Sequence, residues 1–199
     1  MEPGAMTSTH LNRREAVAEL LEDRGDLIVT TGLGSPSYDV MAAGDHDRNY
    51  YLWAAMGSAA TVGLGLAMSR PQDPVLVVTG DGEMLMGMGA LATIAVQAPK
   101  NLTIVVLDNG HYGETGMQRS HAGHGIELDK VAQSVNFDWT ARITDLAGVR
   151  NLRTRVHAKN ALNFAAVTID VAEEDRILPS RDGVYIKNRV RAALGQQDF

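Results

Sequence analysis

Apolar and polar positions follow two different periods along this chain, and each change of period marks an element. From Asn12 to Asp23, Ala16, Leu20 and Leu21 recur at helical spacing opposite Arg13, Glu15, Glu19 and Glu22, which predicts an amphipathic helix. Leu27–Thr31 reads as a short buried strand that ends in Gly32-Leu-Gly34-Ser-Pro-Ser37, and a short helix over Ser37–Ala43 follows. A helix near Ser58–Met68 closes at Arg70-Pro71. Pro74–Thr79 and Leu102–Leu107 are continuous apolar strands, as a sheet covered on both faces requires, and a helix from about Met84 to Gln97 joins them. A glycine- and histidine-rich loop spans Gly110–Gly125. The alternation ends with a helix at Leu128–Ser134, a weak strand near Arg142–Thr144, a helix near Val149–Ala161, a strand at Ala165–Val171 and a final basic helix within Pro179–Leu194. Strands separated by helices, without hairpin signals, predict an α/β fold: an open parallel sheet with helices on both faces.

No repeat or linker divides the pattern, so residues 12–199 are expected to form one domain that includes the C-terminal helix. Residues 1–11 are expected to be a flexible N-terminus. Met1–Met6 lacks the basic-then-apolar pattern of a signal peptide and is set aside. Tyr50–Ser69 holds twenty residues without a charge, long enough to span a bilayer, but Gly57, Ser58, Thr61, Gly63, Gly65 and Ser69 suit a buried small-residue helix better. The 199 residues carry a net charge of −6, which argues against nucleic-acid or membrane-surface binding. Absence of Cys excludes disulfides, thiolate zinc sites, Cys nucleophiles and thiolate-held iron–sulfur clusters. A cytoplasmic location is expected.

Parallel sheets bind ligands at the carboxyl ends of their strands. Those ends carry Gly32–Ser37, Gly80-Asp81-Gly82-Glu83 and Asp108-Asn109-Gly110. Gly80 and Gly82 leave room for a phosphate against the backbone, and the N–H groups of Gly82 and Glu83 open a helix. Asp81 is an anionic oxygen donor and Asn109 a neutral one, a pair suited to a Mg²⁺ that bridges a diphosphate. A lone Gly-Asp-Gly is often only a tight turn. Strand, Gly-Asp-Gly, helix, strand and Asn, with 26 residues between Gly82 and Asn109, is more specific, though an unligated pair of flavodoxin-like turns remains the alternative.

This arrangement resembles the thiamin-diphosphate (ThDP) binding motif of ThDP-dependent enzymes, in particular their pyrophosphate-binding (PP) domain. The likeness to the sulfopyruvate decarboxylase beta subunit and phosphonopyruvate decarboxylase group runs from about Arg13 to Leu194. It is carried by Gly32–Ser37, Ala55-Met56-Gly57-Ser58-Ala59, Gly63–Ala67, Leu85–Thr93, Leu107–Gln118 and Asp182–Arg189. The resemblance implies ThDP and Mg²⁺ as cofactors, with Asp81, Asn109 and the His111 carbonyl on the metal. It implies Gly34, Ser35, Met56, Gly57, Gly80, Asp81, Gly82, Glu83, Asn109, His111, Tyr112 and Gly113 around the cofactor.

The resemblance also implies something missing. In these enzymes a Glu that activates the cofactor comes from a second, pyrimidine-binding (PYR) domain, and no glutamate here has that context. A separate PYR-domain alpha subunit is therefore expected, in a hetero-oligomer (a dimer of heterodimers or larger). The expected reaction is decarboxylation of a small 2-oxo acid. A carboligase half resembling acetolactate synthase and a non-catalytic ThDP-binding homo-oligomer are the alternatives, while a ferredoxin-linked oxidoreductase is disfavoured by the missing cysteines. Where the decarboxylase group has Gly-Ser-Met-Gly this chain has Ala54-Ala55-Met56-Gly57, and Glu114 and Met117 replace an expected Ser and Asn. An anionic Glu114 disfavours an anionic sulfonate or phosphonate nearby. In the loop, His111 and His121 are the candidate proton donors, since histidine ordinarily titrates near neutrality; the alternative is a mobile lid over the cofactor whose histidines face solvent. His121 and His124 alone make a poor metal site. Tyr112 is read as packing beside the diphosphate or anchoring the loop, Met84, Met86 and Met88 as packing, and Arg176, Arg181, Lys187, Arg189 and Arg191 as a solvated face or subunit contact.

Overall fold

A computed structural model describes residues 10–196. Residues 1–9 of the expected flexible N-terminus lie outside them. The backbone joins the fold at Leu11, which makes a parallel bridge to Ile169.

The sheet is open and all-parallel, with helices on both faces. In chain order its elements are α1 (Arg13–Leu21), β1 (Ile28–Thr31), α2 (Ser35–Ala42), β2 (Asn49–Tyr51), α3 (Ala59–Ser69), β3 (Val75–Gly80), α4 (Asp81–Met86), α5 (Ala90–Gln97) and β4 (Leu102–Asp108). There follow β5 (His111–Tyr112), β6 (Gln118–Arg119), α6 (Leu128–Ser134), β7 (Trp139–Ile143), α7 (Leu146–Ala158), β8 (Asn163–Thr168) and α8 (Gly183–Ala193). Six strands pair in the order β2-β1-β3-β4-β8-β7. The alternation of side chains along each strand divides the core in two. Val75 and Val77 pack with Ala60, Leu64, Leu91 and Ile94 on one face. Leu76 and Val78 pack with Val17, Leu20, Val40 and Leu152 on the other.

Four expectations need correction. Asn49–Tyr51, to which the pattern assigns no element, is an edge strand parallel to β1; three residues are too few to show a period. The helix expected over Met84–Gln97 is two helices, because Gly87 lies against the backbone of Gly57. A Cβ at Gly87 would sit 1.9 Å from the Gly57 carbonyl oxygen. The Gly110–Gly125 loop contains a small antiparallel hairpin, β5–β6, closed through a single 3-10 turn at Gly113–Thr115. Arg13, assigned to the polar side of α1, is buried, and its Nη1 lies 2.8 Å from Oδ2 of the fully buried Asp39. Elsewhere the boundaries move by a few residues, the largest shifts falling on β7, α7 and β8. The uncharged 50–69 stretch divides into part of β2, a loop and α3, and among the described residues no helix is long and apolar enough to cross a membrane.

Candidate functional site

β3 and β4 are neighbours in register, Gly80 opposite Leu107, so the residues that follow them emerge side by side at the carboxyl end of the sheet's centre. A cleft of about 450 Å³ opens there. Of the residues singled out from the sequence, Ser35, Met56, Gly80, Asp81, Gly82, Glu83, Asn109, His111, Tyr112 and Gly113 line it. Gly34 and Gly57 stand behind the lining: Gly34 is covered by the Glu114 side chain, and the Gly57 N–H donates to Glu83 Oε1 at 3.3 Å.

Asp81 starts α4 and is only 2% exposed. Burial, reinforced by nearby Asp108 and opposed by a hydrogen bond from Ser120, pushes its carboxyl up to about 6. A carboxylate kept this dry gains most from a cation beside it. Asn109 is held by its own turn: the His111 N–H donates to Asn109 Oδ1 at 2.9 Å, and His111 Nδ1 lies 2.7 Å from the Asn109 carbonyl. Asp81, Asn109 and the His111 carbonyl offer only oxygen, the donor chemistry of Mg²⁺. Among the described residues no three His, Cys, Asp or Glu cluster as a metal cage. A cation here therefore needs oxygens from a bound group, as a diphosphate supplies. Gly80 lines the cleft, and a Cβ added to it would meet nothing within 4 Å, so the backbone there is open to such a group. These residues fit a diphosphate with its cation.

Gly82 serves a purpose beyond the one expected. A Cβ there would come within 2.6 Å of the Tyr112 ring, so Gly82 also makes room for Tyr112. The Tyr112 hydroxyl lies 2.7 Å from His121 Nδ1. His121 itself does not line the cleft; it reaches the cleft through Tyr112. Glu83 accepts from the Leu33 N–H at 2.9 Å and from the Gly57 N–H. Burial raises its carboxyl, and those hydrogen bonds oppose the rise. It fastens two neighbouring loops to α4, and a Cβ on Gly32 would meet its Oε2 at 1.7 Å.

Several residues of the site escape a linear reading. Arg13, Tyr38 and Met117 line the cleft, as does Met86, which is 63% exposed and not a core residue. Glu114 and Arg176 face each other across the mouth at 3.7 Å, and Arg176 stands over the Tyr38 ring. Arg176 is thus part of the cleft, and Arg189, another residue of the supposed solvated face, pairs with Asp45. Fully buried Ser120 donates its hydroxyl proton to Asp81 Oδ2. Below the cleft, Arg142 on β7 bridges Asp108 at 3.1 Å and Asp129 of α6 at 3.0 Å. Only the glycine break at Gly87-Met88-Gly89 left a local signal; the others depend on partners remote in sequence.

Residues 37–172 match the family model of the thiamine pyrophosphate enzyme, C-terminal TPP binding domain. Sulfopyruvate decarboxylase of Methanosarcina acetivorans is 37% identical over 157 residues, which cover 79% of this chain and 40% of that protein. Sulfopyruvate decarboxylase subunit beta of Methanothermobacter thermautotrophicus is 41% identical over 128 residues, covering 64% of this chain and 68% of that subunit. Among solved structures, the thiamine diphosphate-dependent 4-hydroxybenzoylformate decarboxylase of Rhodococcus jostii RHA1 superposes with a TM-score of 0.67 at 18% identity, over 87% of this chain and 35% of that one. That likeness bears on the fold alone. The chain spans less than half of the first relative and about two thirds of the second.

Proposed function

This chain belongs to the thiamine pyrophosphate enzymes, through their C-terminal TPP binding domain, and from that premise we propose that it holds the diphosphate and Mg²⁺ ends of the cofactor in a 2-oxo-acid decarboxylase of the sulfopyruvate or phosphonopyruvate type. A separate PYR-domain alpha chain completes the site. The observation that supports this reading is the cleft itself, lined by Asp81, Asn109, His111 and Gly80 at the ends of two adjacent strands.

Bound ThDP supplies the electron sink for loss of carbon dioxide. The chain's own residues have simpler tasks. Asp81, Asn109 and His111 hold the cation, and Gly80 lets the phosphates approach the backbone. Met56, Met86 and Met117 wall the cleft with apolar surface and exclude water. Tyr112 presents a hydroxyl that its contact with His121 can supply with a proton from outside the cleft. His121 thus serves as a proton source one step removed from the substrate.

Two features support a partner. Of the cleft's glutamates, Glu83 is committed to backbone N–H groups, Glu114 faces Arg176 and Glu174 accepts from the Asn12 side chain, which favours a cofactor-activating carboxylate from another chain. The uncharged stretches 50–69 and 84–99 lie together, with α3 packed on α5, and expose Met68, Met86, Met88 and Val96. Met56 and Met86 belong both to this face and to the cleft wall. An exposed apolar face continuous with an open cofactor site suits the chain that closes that site.

At a ligand concentration one hundred times Kd, ThDP with Mg²⁺ is expected to stabilise the purified chain by about 2.7 kcal/mol and to raise its thermal midpoint by roughly 5–10 °C. No shift would remove the cofactor assignment. The chain alone is expected to leave 2-oxo acids untouched and to turn them over once paired with its PYR chain. Turnover by the chain alone would overturn the two-chain reading. A panel of 2-oxo acids with and without anionic tails then identifies the substrate.

A further inference from the structure

We propose that Ser120 is a positioning residue of the cation site, directing one oxygen of Asp81 toward the metal by occupying the other. This rests on the functional reading above, since the cation it serves is the one that accompanies the diphosphate.

The geometry of the hydroxyl is fully determined. Ser120 follows β6 and is completely buried. Its oxygen accepts a hydrogen bond from the Gly123 N–H at 3.2 Å, and a hydroxyl has a single proton to give. That proton goes to Asp81 Oδ2, because the acceptor is a carboxylate oxygen with none to donate in its ionised state. With Oδ2 engaged by Ser120, and the Asp81 and Gly82 N–H groups also directed at the carboxylate, it cannot rotate freely, and Oδ1, which has no side-chain partner among the described residues, is the oxygen turned to a cation.

The backbone holds Ser120 in place as firmly as its side chain holds Asp81. Its N–H donates to the Gly110 carbonyl at 2.8 Å, and its carbonyl accepts from the His124 N–H at 3.1 Å. Gly110 and Gly123 touch backbone to backbone; a Cβ on Gly123 would fall 2.3 Å from the Gly110 oxygen. The 110–125 loop is therefore folded back on the turn that carries Asn109 and His111, and Ser120 ties that loop to the end of β3. One hydroxyl links the carboxylate donor to the segment that supplies the two other oxygens.

The test is the Mg²⁺ requirement for ThDP binding, measured by calorimetry on the whole chain at fixed ThDP. Removing a group that orients a metal ligand typically costs 10–100-fold in affinity. Ser120→Ala is expected to raise the Mg²⁺ concentration at half-saturation at least tenfold, while saturating Mg²⁺ restores ThDP binding. Ser120→Thr, which keeps the hydroxyl, is expected to recover most of the loss. Ser120→Cys keeps the volume with only a weak donor, and is expected to fold and to behave like the Ala variant. A packing role alone would lower the ligand-free thermal midpoint without moving the Mg²⁺ curve. Wild-type binding with an unchanged Mg²⁺ midpoint in both the Ala and Cys variants overturns the role of Ser120 alone. Absence of binding by the wild type overturns the cofactor reading and this role with it.

Discussion

Asp81→Asn is expected to abolish the thermal stabilisation by ThDP and Mg²⁺ while leaving the ligand-free chain more stable at neutral pH than the wild type. The two effects have one cause. Asp81 is 2% exposed, and its carboxyl is pushed up to about 6, chiefly by burial. An unfolded aspartate titrates near ~3.9, so the folded chain binds this proton more tightly than the unfolded one. The resulting stabilisation is fully present below ~pH 4 and is lost as pH rises through about 6; it amounts to at most about 3 kcal/mol. Above pH 6 the wild type carries a buried anion that only a cation neutralises. Asn keeps an oxygen for the Ser120 hydroxyl, removes the charge and removes the ligand.

Urea unfolding at pH 5 and pH 7.5 measures this directly. The stability difference between variant and wild type should grow in favour of the variant by about 1 kcal/mol or more over that interval. Adding ThDP with Mg²⁺ should reverse the order at pH 7.5. A difference that does not change with pH would mean that Asp81 is not a strained anion. A variant that still responds to cofactor would show that the cation sits elsewhere.

Arg142→Met carries the largest expected loss of stability. The Arg142 guanidinium spans two carboxylates, and Asp108 and Asp129 are 6% and 4% exposed. Removing one partner of a buried ionic group leaves charge without compensation, at a cost of 3–5 kcal/mol for a fully buried pair, roughly. The Arg142 side chain is 30% exposed, so about 3 kcal/mol is expected, or roughly 6–12 °C in thermal midpoint. Asp129→Asn added to Arg142→Met should return part of it, because the second carboxylate then has less to lose. Asp108 also accepts from the Gly110 N–H at 3.1 Å, so cofactor binding should weaken too. A loss below about 1 kcal/mol would place the triad among weak surface pairs.

The sheet was legible because its strands are nearly pure apolar runs, and a run such as Val75-Leu-Val-Val78 has no alternative to burial on both faces. That Asp81 and Asn109 share one cleft was legible because they follow two such runs directly. What escaped was pairing between polar groups. Hydropathy places Arg13 on the outer side of its helix, yet Asp39, 26 residues on, draws it inward. Ser120 stands 39 residues from the carboxylate it serves, and nothing in the local pattern around either residue announces the other. The short edge strand β2 and the hairpin β5–β6 owe their pairing to neighbours already in place, not to their own two or three residues.

The strand order has a consequence in time. Ile28 lies opposite Val75, and Val105 opposite Ala165, so the sheet closes only when segments distant along the chain find each other. Folds dominated by such non-local parallel pairing assemble slowly, because loop-closure entropy must be overcome before contacts reward it. Asp81 and Asn109 become neighbours only when β3 and β4 lie side by side. A ligand that needs both residues binds only after that pairing has formed, so it is expected to slow unfolding of the domain more than to speed its folding.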